Sequence, residues 1–204
     1  MKDRYNTLAK TGKTEIVIKK SRFVTSVSPV TSEEEAITFI SGVKKQHSQA
    51  NHNVFAYIID EQTQRFSDDG EPGGTAGRPV LDVIKRKDIV KAAVVVTRYF
   101  GGILLGAGGL VRAYSEAAIN GLEAAGIIEK LLYRGLLLNM DYQWLGVVKR
   151  EVENAGGQRV SMDYGQRVQI LAYFRPARAE TLTVKITELT AAQVIMNMGD
   201  FVYI

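Results

Sequence analysis

The chain contains no cysteine, which excludes disulfides, thiolate catalysis and cysteine-ligated zinc. Histidine is nearly as scarce. His47 and His52 are the only two, and an offset of five does not stack two imidazoles on one helix face as an i, i+4 pair would. Ser67 and Ser115 stand outside the G-x-S-x-G setting of an elbow nucleophile. Long apolar runs are missing as well. The longest small-and-apolar run, Gly101 to Val111, is too short and too rich in glycine to cross a bilayer. The opening "MKDRYNTLAKTGKTE" lacks the apolar segment of a secretory signal. A soluble cytoplasmic protein, with no membrane association, is the expectation.

What is present suits an ordinary globular protein. The 204 residues are 46% hydrophobic and 24% charged, enough for a core in one large domain or two small ones. A net charge of +4 and a pI near 9.2 permit phosphate-rich partners without requiring them. β-Branched "TEIVIKK" and "SRFVTSVSPV" predict extended chain ending at Pro29. "TSEEEAITFISGVKKQHS" predicts a helix, with Ser32 as N-cap, Glu35 completing a capping box, and Ile37, Ile40 and Val43 at helical spacing. "NVFAYIID" reads as a strand and "EQTQ" as a turn. Thr75 to Lys85 reads as a short helix, Pro79 being tolerated only in its first turn. "KAAVVVTRYF" is too apolar for a wet face, so it is expected as a central strand buried on both sides. "LVRAYSEAAINGLEAAG" is helical, with Leu110, Ala113, Ala117 and Leu122 on one face and Gly126 as the stop.

From about Leu131 the rhythm changes. Strand, helix, a hairpin around Gly165, helix and closing strand give βαββαβ, the ferredoxin-like order. That order closes its own core, which places a domain boundary near residues 130–135, with domains of 1–132 and 133–204.

Nine of the 19 glycines fall between positions 70 and 109, in two stretches. The first, "RFSDDGEPGGTAGRP", brings Asp68, Asp69 and Glu71 close together. Those carboxylates could hold Mg²⁺ or serve acid/base chemistry; the alternative is a turn in which Asp hydrogen-bonds its own backbone. EF-hand spacing is absent. The second, "TRYFGGILLGAGGLVRAY", sets Gly101, Gly102, Gly106, Gly108 and Gly109 between a buried strand and a helix, bracketed by Arg98 and Arg112. Helix N-terminal N–H groups beside guanidinium groups form an anion site, although close packing and tight turns demand glycine too. Neither G-x-G-x-x-G nor G-x-x-x-x-G-K-[ST] is present. If both stretches lie at one end of one sheet, they form a single concave site, with Thr75 beside it. Phe23, Tyr57, Tyr99 and Phe100 could stack bases or fill the core. Lys85, Arg86, Lys87 and Lys91, with Lys19, Lys20 and Arg22, form either a solvated face or a phosphate track.

"SDDGEPGGTAGRP" followed by "VVVTRYFGGILLGAGGLVRAY", with "KKSRF" near the start, resembles the bacterial YigZ/YvyE branch of the IMPACT family over nearly the whole chain. The resemblance implies an α+β protein of two α/β sandwich domains. The first would be similar to elongation factor G domain IV, a group with a left-handed βαβ crossover that departs from the usual rule; the second would be ferredoxin-like. Eukaryotic members regulate translation under amino-acid starvation by binding a ribosome-associated activator of a kinase. They carry an additional N-terminal domain, so that partner is not carried over. The expected function is a non-enzymatic module that binds RNA or the ribosome, or a protein of translation control, and that needs no cofactor. The alternative is a metal-assisted hydrolase of a phosphate or amide bond, with Asp68, Asp69 or Glu71 holding the metal or activating water.

Overall fold

The computed structural model describes residues 2–204. They form a two-domain α+β protein with two sheets and five α-helices. One unit is Tyr5–Glu129; the other is Lys130–Ile204 with the first residues through Arg4.

The larger unit is built on strands β1 (Arg4–Leu8), β2 (Gly12–Ile18) and β3 (Ser21–Pro29), helix α1 (Glu33–Gln46), strands β4 (His52–Ile58) and β5 (Gln64–Ser67), helix α2 (Gly77–Arg86), strand β6 (Ala92–Tyr99) and helix α3 (Ala107–Ala125). Its sheet runs β2-β3-β6-β4-β5, every neighbouring pair antiparallel. Thus β3 and β4 are mutually parallel across β6, joined by α1, and β5 and β6 are parallel across β4, joined by α2.

β6 lies at the centre and is buried on both faces, as its unbroken apolar run predicts. Val94 and Val96 pack with residues of α2 and α3, whereas Ala93 and Val95 pack with residues of α1. Strand alternation therefore sorts the helices, one on one face and two on the other. α1 starts as its capping box predicts, with Glu35 N–H donating to Ser32 Oγ (3.3 Å) and the Glu35 carboxylate accepting from Thr31 N–H (2.6 Å). α2 holds Pro79 in its first turn.

The second unit contains β7 (Ile127–Met140, begun in the first unit), α4 (Leu145–Asn154), β8 (Gln158–Tyr164), β9 (Val168–Phe174), α5 (Pro176–Leu189) and β10 (Ile195–Tyr203). Its strands lie in the order β8-β9-β7-β10, all antiparallel. This is the ferredoxin-like arrangement, with Leu136, Leu138 and Ile170 of the sheet buried against Val148 and Val152 of α4 and Ile186 of α5.

Four elements differ from the sequence expectation. β1 and β5 were not predicted, because "RYNTL" and "QRFS" are short and mostly polar and carry no alternation. β7 begins four residues before Leu131, since Gly126, at φ +72°, ends α3 and turns the chain directly into the strand. α3 begins at Ala107, three residues before the expected Leu110, and takes up Gly108 and Gly109.

α3 lies so close to β3 that a Cβ on Gly121 would come within 2.4 Å of Thr25 Cγ2, and Thr25 Oγ1 donates to Ala117 O. Gly121→Val should therefore overpack this seam and cost about 1–3 kcal/mol, read as a lower midpoint in urea denaturation. An unchanged midpoint would show that the helix can rise off the sheet freely.

Candidate functional site

The three carboxylates of the first glycine stretch are adjacent in sequence and part company in space. Asp68 turns toward the N-terminus of α2, where Oδ1 accepts from the N–H groups of Ala76 (3.1 Å) and Gly77 (2.8 Å) and Oδ2 from Gly74 (2.9 Å). It supplies the cap that Ala76, at the N-cap position, cannot. Asp69 turns the other way, accepting from Lys44 Nζ (2.8 Å) and from Asn53 N–H (2.6 Å). Burial raises the Asp69 carboxyl pKa, but the Lys44 hydrogen bond, the Asn53 N–H and the lysine charge outweigh it and hold it below the ordinary value. Thr75 closes the loop by donating Oγ1–H to Pro72 O (2.7 Å). Among the described residues no group of three or more His, Asp or Glu is placed to hold a metal ion.

Glu71 takes a third direction, inward. Its Oε1 accepts from Arg98 Nη1 (2.7 Å) and from the Tyr114 hydroxyl (2.7 Å), and the Glu71 and Arg98 side chains are only 4% and 6% exposed. Arg98 Nη2 also reaches Ser21 Oγ (3.3 Å), an atom that accepts from Gly101 N–H (3.2 Å). Burial, then the hydrogen bond to Glu71, pushes the Tyr114 phenol up, so it stays protonated and donates. This network joins the first glycine loop, the end of β6, the start of β3 and α3. Gly101 is obligatory there, because a Cβ would sit 2.0 Å from the Lys20 carbonyl carbon.

A cleft of about 490 Å³ opens beside the pair. The first glycine stretch contributes Gly70, Glu71 and Pro72 to its wall; the second contributes Arg98, Phe100, Leu104, Leu105 and Gly106. The two stretches therefore meet. α3 starts at this wall with Gly106 (φ +71°) at its N-cap, no side-chain cap and no acidic residue in the first turn. His52 also lines the cleft. Its Nδ1 lies 2.8 Å from Asp69 O, so that nitrogen carries the proton, and Nε2 lies 3.9 Å from Glu71 Oε1.

Several sequence candidates lie elsewhere. Asp68, Asp69 and Thr75 are absorbed by the loop and do not line the cleft. Gly102 and Gly101 shape the corner behind it; Gly108 and Gly109 sit in the first turn of α3 outside the lining. Arg112 is exposed on α3 and is not part of the wall. Of the aromatics, Phe23 and Tyr57 are core, Tyr99 lies under the Arg22 guanidinium (4.7 Å to the ring) and accepts or donates at His47 (2.9 Å), and Phe100 is 46% exposed. Lys87 pairs with Glu123 (3.3 Å). Sequence reasoning missed Tyr114 and Ser21. The signal for Tyr114 was present: it is the one aromatic on a face of α3 otherwise made of alanine, glycine and leucine.

Comparison with known proteins agrees with this layout. The family model "Impact N-terminal domain" matches residues 19–122, and "Domain of unknown function (DUF1949)" matches residues 138–193. The chain is 41% identical over 202 residues to "IMPACT family member YvyE" of Bacillus subtilis (strain 168), covering 98% of this chain and 93% of that protein. It is 32% identical over 177 residues to "IMPACT family member YigZ" of Escherichia coli (strain K12), covering 85% and 87%. "Protein IMPACT" of Homo sapiens matches over 98 residues at 35% identity, 45% of this chain and 30% of that one. A solved structure described as "Crystal structure of an hypothetical protein" superposes with a TM-score of 0.65 at 29% identity, covering 96% of this chain and 97% of the other.

Glu71→Ala would strand the Arg98 charge in the interior and should cost about 3–5 kcal/mol in denaturation midpoint analysis; a loss below 1 kcal/mol would mean that Arg98 finds water or another partner. Asp69→Asn should cost about 1 kcal/mol at neutral pH, because the pair with Lys44 is partly solvated. The folded carboxyl titrates below its ordinary 3.8, so its contribution is whole above that pH and drains as pH falls through the lower folded value. Denaturation curves of wild type and Asp69→Asn should converge on acidification; a constant gap down to strong acid would refute the pairing as its source.

Proposed function

Because the chain belongs to the IMPACT family, we propose that it is a non-enzymatic cytoplasmic module that binds RNA, alone or within the ribosome, and modulates translation or a stress response. The observation that carries this reading is the cleft: two glycine stretches meet beside Arg98 and an uncapped helix N-terminus, where polarity favours an anion. The Lys20 backbone packs against Gly101, and Lys19 and Lys20 are both exposed at that turn. Phosphate groups attracted to such a surface release counterions, which supplies affinity without sequence selection.

Binding is favoured over hydrolysis by the fate of the carboxylates. Asp68 is spent on a helix cap, Asp69 on Lys44 and a backbone N–H, and Glu71 on a guanidinium. None is left as a base facing open solvent beside a second acid, which is what metal-assisted hydrolysis requires.

The affinity for structured RNA and for ribosomes should fall steeply with salt, with a log–log slope of about −0.7 to −0.9 per phosphate neutralised. Lys19→Asn with Lys20→Gly preserves the left-handed backbone at both positions (φ 45° and 66°) and should flatten that slope by about one to two. Absence of binding to both RNA and ribosomes at low salt would reject the reading.

A further inference from the structure

We infer that the cleft takes one nucleoside monophosphate, either free or as the phosphorylated end of a strand. This deepens the RNA reading and rests on the same cleft being an anion site. Three features of the wall specify the ligand, and each asks for a different part of it.

The first asks for a phosphate. The helices of the larger unit treat their N-termini differently. α1 is capped by Ser32 and α2 by Asp68, both from within the chain. α3, the longest helix at 19 residues, has Gly106 and Ala107 on the cleft wall and neither a side-chain cap nor an acid in its first turn. Its first N–H groups point along the axis out of that end, where a doubly charged phosphoryl group complements them.

The second asks for a hydrogen-bond donor, and is independent of the helix. Arg98 and Glu71, each more than nine-tenths buried, both line the cleft. Arg98 is held in place by Glu71 and Ser21, while its Nε has no partner. All the contacts of Glu71 fall on Oε1, leaving Oε2 as an open acceptor. A ribose hydroxyl or an exocyclic amine offers that oxygen a donor.

The third asks for a flat apolar surface. Phe100 is 46% exposed and Leu104 81% exposed, and both border the cleft. An aromatic ring at the mouth of a polar cleft is a stacking platform for a base. The volume of about 490 Å³ falls in the roughly 300–1,000 Å³ range of small-ligand sites, which suits a single nucleotide and excludes a duplex.

The full-length protein should be titrated calorimetrically at low salt with AMP, adenosine and inorganic phosphate. AMP should saturate, and bind at least about tenfold more tightly than either fragment. Ala107→Asp places a carboxylate where the phosphate would sit. It should keep or raise the thermal midpoint by complementing the α3 dipole, yet weaken AMP at least about tenfold. These opposite signs separate occupancy of the site from damage to the fold. Phe100→Ala should weaken AMP and leave inorganic phosphate unchanged. A 5′-phosphorylated oligonucleotide that displaces AMP, when its 5′-hydroxyl twin does not, assigns the strand end; AMP binding without such displacement assigns the free nucleotide. Failure of AMP to saturate, phosphate binding as tight as AMP, or an Ala107→Asp protein that binds AMP normally would each overturn the inference. RNA binding without AMP binding would defeat this inference alone, and AMP binding without RNA binding would defeat the broader reading alone.

Discussion

The buried pair of Glu71 and Arg98 is the constraint on which the larger unit's candidate site depends. Moving two charges into the interior costs more than their attraction repays unless the remaining hydrogen-bonding positions are filled. Tyr114 and Ser21 fill most of them. Such a pair is a poor source of stability and a good source of position. It admits one arrangement of the first glycine loop, the end of β6, the start of β3 and α3, and any other leaves a charge unpaired. The cleft is the space beside that arrangement.

Around the pair, neighbouring acids have been given separate duties. Three carboxylates within four residues would repel one another if they shared a site; here each finds its own positive partner, a helix N-terminus for Asp68, an ammonium for Asp69 and a guanidinium for Glu71. The positive φ of Asp69 (47°) and Gly70 (88°) lets the chain turn the three side chains apart. The same economy accounts for the contrast between helices: α2 consumes a carboxylate from within the chain, and α3 starts at the cleft wall with no side-chain cap.

The second unit follows a simpler logic. Its ferredoxin-like order leaves one sheet face to α4 and α5, and the alternation of Leu136, Leu138 and Met140 supplies that face. Nothing comparable to the Glu71–Arg98 network is needed there, since an apolar face and two amphipathic helices close the core on their own.

Periodicity and composition were sufficient for most of this architecture. The apolar run of β6 announced a strand covered on both sides, the capping box announced α1, and the βαββαβ order announced the second unit, because each signal is local and each element answers to its own residues. β1 and β5 escaped, since short polar strands owe their existence to a neighbour's hydrogen bonds. The two glycine stretches advertised a special place, and there the local signal ended. Whether Asp68, Asp69 and Glu71 formed a metal cluster or three separate contacts depended on partners at Ala76, Lys44 and Arg98, remote in sequence or across a turn. Only the folded chain could choose, because the free energy of a buried charge is set by what surrounds it in space, and sequence adjacency carries no information about that.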